Sequence, residues 1–287
     1  MAGVTSRRTT VGAAAAALAL ALAGCGQPGS VAPAPEPAPT PSVAPPILSQ
    51  TPIPSQTPTP AQTPTPASTP PPTLRPRVDT SAAALLETLA VKGRAPMTGY
   101  ARERFGPAWL DADRNGCDTR NDVLRRHLSD QVIDPATRGC VVLAGRLVDP
   151  YTATTIDFVR GDGFLVDVDH VVAMGNAWAT GAARWGVRKR AAFANDPLNL
   201  LPVDASANRQ KGDGDAATWL PPHRAFRCAY VARQVSVKAK YGLWVTPAER
   251  SAMEHVLDAC PRRRPVPDSG APVRVDHDIT DPGPPAS

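Results

Sequence analysis

The sequence predicts an α+β fold, a single mainly helical domain with a small strand–strand–helix unit at its centre and two disulfides. Three observations carry this expectation. A tract from Pro28 to Pro76 holds 18 of the 34 prolines and almost no charge, so it divides an N-terminal apolar run from everything able to pack a core. Between residues 79 and 261, runs with helical periodicity alternate with short β-rich runs. Cys117, Cys140, Cys228 and Cys260 all fall inside that stretch, an even number that suits an oxidising compartment.

Residues 1–25 read as an export signal. Arg7 and Arg8 precede an apolar run from Val11 to Ala23 that is too short to span a bilayer. The run ends in Leu22, Ala23, Gly24 and Cys25, which resembles a bacterial lipobox and implies a lipid on Cys25. The expected location is extracellular, anchored to the cell membrane through that lipid, with full secretion as the alternative. Residues 26–78 are expected to be a disordered, PPII-rich linker. Residues 262–287, again polar and Pro-rich, are expected to be a disordered tail.

Within residues 79–261, Thr80 or Ser81 can cap a helix with Leu85, Leu86 and Leu89 on one face. Thr119 to Leu128 reads as a second helix. Strands are expected at Cys140 to Leu143, Thr154 to Val159 and Phe164 to Val168, the last two joined by a turn at Gly161, Asp162 and Gly163. Arg227 to Lys240 and Pro247 to Ala259 read as two late helices. Of the three possible disulfide connectivities, Cys117 with Cys140 and Cys228 with Cys260 is preferred, since each closes a moderate local loop. No CxxC pair occurs, which argues against a structural zinc site.

The chemistry concentrates in DVDHVV and the stretch after it. Asp169 and His170 end one strand, Asn199 and Leu200 open another, and Asn208 and Lys211 follow on a short helix, capped by Asp204 or Ser206. Three residues apart, Asn208 and Lys211 share a helix face. Hydrolysis of a phosphodiester needs a base for water, a cation for the phosphorane and leaving oxygen, and a means to neutralise the remaining charge. His170 has the unperturbed pKa of a base near neutrality. Asp169 and Asn208 are hard oxygen ligands suited to Mg²⁺, and Lys211 is expected near the phosphate. Asp167, on the same strand side as Asp169, is a further acidic neighbour.

These pieces resemble the HNH, or ββα-metal, endonucleases, and the wider chain is similar to secreted bacterial relatives of the GmrSD-type C-terminal HNH domain. The resemblance extends from GCDTRNDVL through LVDPYTAT, DVDHVVAMGNAW, FANDPLNLLPV, NRQKGD and WLPP to RCAY and AERSAMEHVLDAC. It implies a ββα-metal core and a metal-dependent endonuclease hydrolysing DNA, with RNA as a further substrate. It also implies His170 as general base, Asn199 fixing the loop that holds it, Asp169 and Asn208 as metal ligands, and Lys211 near the scissile phosphate. Asn208 stands where the founding motif has its last His, which favours Mg²⁺ or Mn²⁺ over zinc or nickel.

The net charge of +5 and pI of about 9.1 suit a polyanionic partner. The expected partner is nucleic acid, DNA first, with no protein partner, a monomeric state, and membrane contact only through Cys25. The alternative is a non-catalytic surface protein that binds nucleic acid or acts in adhesion. Arg184, Arg188, Lys189 and Arg190 could follow a DNA backbone or form a solvated helix face. Trp178, Trp185 and Trp219 are expected in the core. Asp111, Asp113, Asn115, Gly116 and Asp122 follow EF-hand spacing, for which a Ca²⁺ site or a tight polar turn is the choice, and the turn is preferred. Asp276, His277 and Asp278 mimic the first acidic cluster without a downstream Asn or Lys.

Overall fold

A computed structural model describes residues 79–163 and 165–285 of the chain. The export signal with Cys25 and the linker to residue 78 lie outside the described residues.

Ser81 accepts a hydrogen bond from the Ala84 amide and so starts α1 (Ala82–Glu87). Asp118 does the same for α2 (Thr119–His127). A three-stranded antiparallel sheet follows, in the order β1 (Ser129–Ile133), β2 (Val142–Val148) and β3 (Thr155–Val159). Strand β4 (Val166–His170) pairs antiparallel with β5 (Leu200–Asp204), setting Asp169 opposite Leu201 and His170 opposite Leu200. Between them lie α3 (Met174–Ala179) and α4 (Val187–Ala194). Helix α5 (Ala205–Lys211) leaves β5 directly, its N-cap Asp204 accepting from the Ala207 amide. The chain ends its regular structure in α6 (Arg227–Tyr241) and α7 (Pro247–Asp258), the latter closed by a Thr246/Glu249 capping box.

The expected α+β class and both disulfides are present: Cys117 joins Cys140, and Cys228 joins Cys260, linking α6 to the residues just after α7. Strand β2 runs further than its sequence signal, to Val148, where it still pairs with Thr155 of β3, and Gly145 leaves room for Leu128 to pack against it. A Cβ on Gly145 would stand 2.9 Å from the Leu128 side chain. The sequence reading missed β1: its residues are mostly polar and exposed, as on a sheet edge, and so lack an alternating pattern.

Apolar burial is divided among three clusters. Leu86, Val235 and Met253 join α1, α6 and α7. Trp178, Phe193 and Tyr241 centre the second, beside Trp185. Leu124, Val142, Phe158, Val168 and Leu200 join α2 and both sheets. Trp178 is buried and Trp185 and Trp219 pack against the core, as expected.

The segment after Pro261 departs from the expected disordered tail. It lies along the domain as a strap without regular secondary structure. Val275 is buried, and Val266 and Ile279 pack against the Trp178 cluster. The Val275 amide donates to the Arg188 carbonyl. Asp281 takes a two-point contact from Arg104, at 3.0 and 2.9 Å, and pairs with the buried Arg190 as well. Apolar residues spaced among prolines carry no periodic signal, which is why this segment reads as a tail.

Candidate active site

Strand β4 delivers Asp169 and His170 to the floor of a polar cavity of about 240 Å³, where Asn208 of α5, Arg102 and Asp213 also line the wall. The path from β5 into α5 is short, so the register of one strand pair and the capping of one helix fix these groups together.

Asp169 is almost wholly buried and has a partner for each oxygen. Lys211 Nζ donates to Oδ1 at 3.0 Å, and the Tyr151 hydroxyl donates to Oδ2 at 2.5 Å. Burial pushes the Asp169 carboxyl above its ordinary range, and the Lys211 ammonium and the Tyr151 hydroxyl oppose that push. The Lys211 side chain is fully buried and its Nζ also donates to the His170 carbonyl at 2.9 Å. Lys211 therefore sits beneath the strand end as the counter-charge of Asp169. Tyr151 is set by Asp149, whose carboxylate accepts from the amides of Thr152 and Asp204 and so ties the loop after β2 to the end of β5.

His170 Nε2 lies 2.8 Å from the Ala194 carbonyl. A carbonyl can only accept, so Nε2 carries the proton and Nδ1 keeps the lone pair in the neutral ring. Burial, with Arg102 and Lys211 adding to it, lowers the His170 pKa to about 4. Asn199 is buried beside it. Its Oδ1 accepts from the Val172 amide at 2.8 Å, its Nδ2 donates to the Val172 carbonyl at 3.3 Å, and its own carbonyl accepts from the Val171 amide. The turn leaving His170 is thus clamped on three backbone groups.

Asn208 Nδ2 donates to Asp167 Oδ2 at 3.1 Å, as Lys211 of the same helix donates to Asp169, so residues 167 and 169 both meet α5. Asp213 approaches on the α3 side, accepting from the Gly175 amide at 3.0 Å. A Cβ on Gly175 would lie 2.4 Å from the Asp213 carboxyl, so glycine there makes the approach possible.

Asp169, Asn208 and Asp213 bring oxygen donors to this cavity, the donor type that a hard divalent ion takes. Among the described residues no group of three or more His, Cys, Asp or Glu is arranged to hold a metal. In the EF-hand-like loop the carboxylates serve the loop itself: Asp111 accepts from the Asn115 and Gly116 amides, and Asp113 and Asp122 accept from Asn115 Nδ2. The basic run divides in two. Arg184 and Arg188 are exposed, whereas Lys189 donates to the Tyr241 carbonyl and Arg190 is buried on Arg104, Trp185 and Asp281.

Sequence reasoning missed Tyr151, Arg102, Asp213 and Trp109. Tyr151 lies inside the family-like stretch LVDPYTAT, yet nothing in its spacing reveals a bond to a carboxylate 18 positions on.

Residues 118–256 match the family described as GmrSD restriction endonucleases, C-terminal domain. The chain belongs to this family, which is of the HNH endonuclease type. An uncharacterized secreted protein of Arthroderma benhamiae is 37% identical over 183 residues, 63% of this chain and 85% of the relative. No solved structure matches the chain. The matched segment runs from the N-cap of α2 into α7 and contains Asp169, His170, Asn199, Asn208 and Lys211. It leaves out Arg102, Trp109 and the strap.

Proposed function

We propose that the protein is an exported, metal-dependent endonuclease of the HNH type that hydrolyses nucleic-acid phosphodiesters, with β4, β5 and α5 as its ββα-metal core. The observation that carries this reading is the meeting of Asp169, His170 and Asn208 at one polar cavity, within a chain of a nuclease family.

In this reading His170 is the general base. Its Nδ1 takes a proton from water as the water oxygen bonds to phosphorus and the bond to the 3′ oxygen breaks, leaving a 5′ phosphate. The hydrogen bond to Ala194 fixes the tautomer that this step needs. Asp169 and Asn208 would hold Mg²⁺ or Mn²⁺. When bound, the ion supplies Lewis-acid stabilisation of the charge on the phosphate and leaving oxygen. Asn199 and Lys211 are positioning residues, one for the turn after His170 and the other for the Asp169 carboxylate. Arg102 is the exposed cation that meets the phosphate at the cavity.

The relative's description as secreted, the four paired cysteines and the N-terminal sequence all support export. A lipid on Cys25 and the spacer after it would then hold the domain clear of the membrane. No described helix is long and apolar enough to cross a membrane.

A plasmid-nicking assay tests the catalytic reading. Supercoiled plasmid should be converted to nicked and linear forms with Mg²⁺ or Mn²⁺ and should stay intact in EDTA. Binding with no cleavage of plasmid or of single-stranded DNA in either metal would instead leave a non-catalytic nucleic-acid-binding protein.

A further inference from the structure

The polar cavity has an apolar neighbour. A cavity of about 680 Å³ adjoins it and shares Arg102, His170 and Met174 with the polar one. That volume lies within the range of small-ligand pockets. Phe105 and Trp109 supply its aromatic surface, and Ile279 and Pro282 of the strap close another wall.

Four features specify what fits. The Trp109 ring is nearly parallel to that of His170, with 12° between the planes and 6.5 Å between the centroids, so a flat aromatic surface lies beside the base. Trp109 has φ 56°, a left-handed backbone that is strained for a bulky residue and persists only where the surrounding structure holds it, so the place of this ring is fixed. The charges are ordered: Arg102 stands where the two cavities meet, while Glu103 and Asp278 also line the apolar one and so oppose a second phosphate inside it. Lastly, the strap wall is pinned by Asp281 to Arg104 and Arg190. An uncharged, flat ring joined to a phosphate at the Arg102 junction meets all four conditions.

We infer that this cavity receives a nucleobase next to the phosphate held in the polar cavity, and that the substrate class is therefore single-stranded or unpaired nucleic acid. This rests on the nuclease reading for the position of the phosphate. A base in a duplex must leave its stack and its pair to enter such a cavity, whereas a base in a single strand stacks on an aromatic side chain without that cost. Trp109, Arg102 and the strap all lie outside residues 118–256, so the flanks of the family domain supply most of the pocket, and His170, Met174, Ala194 and Asn195 supply the wall from within it.

Fluorescence-anisotropy titration in EDTA separates this inference from catalysis. The full chain is titrated into a labelled oligothymidylate of about eight nucleotides and into the same backbone carrying abasic sites. The base-bearing strand should bind on the order of tenfold more tightly, as stacking on one aromatic ring provides. Trp109→Ala should bring the two strands within about twofold of each other, and Trp109→Phe should restore most of the difference. Should Trp109→Ala fail to fold, Ile279→Asp, which sets a charge in the opposite wall, should abolish the difference too. Equal binding of the two strands by the parent, or a difference that survives in the folded variants, overturns the pocket even if plasmid is cut. With Mg²⁺, a single strand should be cut at least about tenfold faster than its duplex, and a faster duplex overturns the substrate class. Base-dependent binding with no cleavage in Mg²⁺ or Mn²⁺ overturns the nuclease reading and leaves the base pocket standing.

Discussion

Two clusters in this chain have nearly the same composition and different surroundings. Asp167, Asp169 and His170 lie on β4, and Asp276, His277 and Asp278 lie in the strap. In the first, each oxygen of Asp169 has a buried donor and the histidine ring is bound to a backbone carbonyl. In the second, Asp276 is largely exposed, its partner Arg114 is exposed as well, and His277 stands 3.7 Å from that carboxylate. A carboxylate beside a histidine is therefore common material. What distinguishes the β4 cluster is the set of buried groups that fix one tautomer and one carboxylate orientation, which is the requirement for a base with a metal beside it.

The sharpest way to break this comparison is to remove each ring in turn. His170→Ala should lower plasmid nicking by about 10²–10⁴-fold, the usual contribution of a positioned base. His277→Ala should leave the rate within about twofold. Comparable losses in the two variants, measured under the same Mg²⁺ conditions, would show that the buried partners do not separate the clusters.

Removing the supporting charges should divide the clusters by stability. Lys211→Met leaves Asp169 buried without its cation and should cost about 3–5 kcal/mol, the loss typical of a buried pair broken from one side. Arg114→Ala breaks an exposed pair with Asp276 and should cost under about 1 kcal/mol. Urea unfolding of both variants checks the contrast. A Lys211→Met variant as stable as the parent would mean that Asp169 is held neutral, and the metal-ligand role would fall with it.

How much of this was legible in the sequence follows from the range of each interaction. The order Asp169, His170, Asn199, Asn208 and Lys211 is written locally, because one strand pair and one capped helix bring these residues together. The strands expected at 154–159 and 164–168, the second of which the structure places at Val166–His170, the late helices and both disulfides rest on similarly local patterns. The depth of Lys211 was not legible: three-residue spacing gives a shared helix face with Asn208 but not its burial, nor its bonds to the Asp169 carboxylate and the His170 carbonyl. Tyr151, Arg102 and Trp109 reach the site through tertiary packing alone. The strap was misread because Val275, Ile279 and Asp281 are anchors set among prolines, and single anchors have no period. Hydrophobic periodicity reports repeated burial on one element, and a strap has no such element.

A third histidine gives the smallest and most pH-specific expected effect. His127 at the end of α2 has no carboxylate beside it and two arginines instead. Arg126 Nε donates to its Nε2 at 3.1 Å, which requires the neutral ring with its proton on Nδ1. Burial, then Arg126 and Arg233, lower its pKa from 6.5 to about 4. The unfolded chain therefore takes up this proton before the folded one does, so the stability contribution is fully present above pH 6.5 and is lost as pH falls toward 4. His127→Gln keeps an acceptor for Arg126 and has no proton to gain. Between pH 7 and pH 4 the parent should lose on the order of 1–3 kcal/mol more than this variant in urea unfolding. Parallel pH profiles would mean that the ring is charged in the folded protein, and that the Arg126 contact does not hold it neutral. Any such effect belongs to folding alone, since His127 lines neither cavity, and the pH dependence of cleavage should be the same in both proteins once each is fully folded.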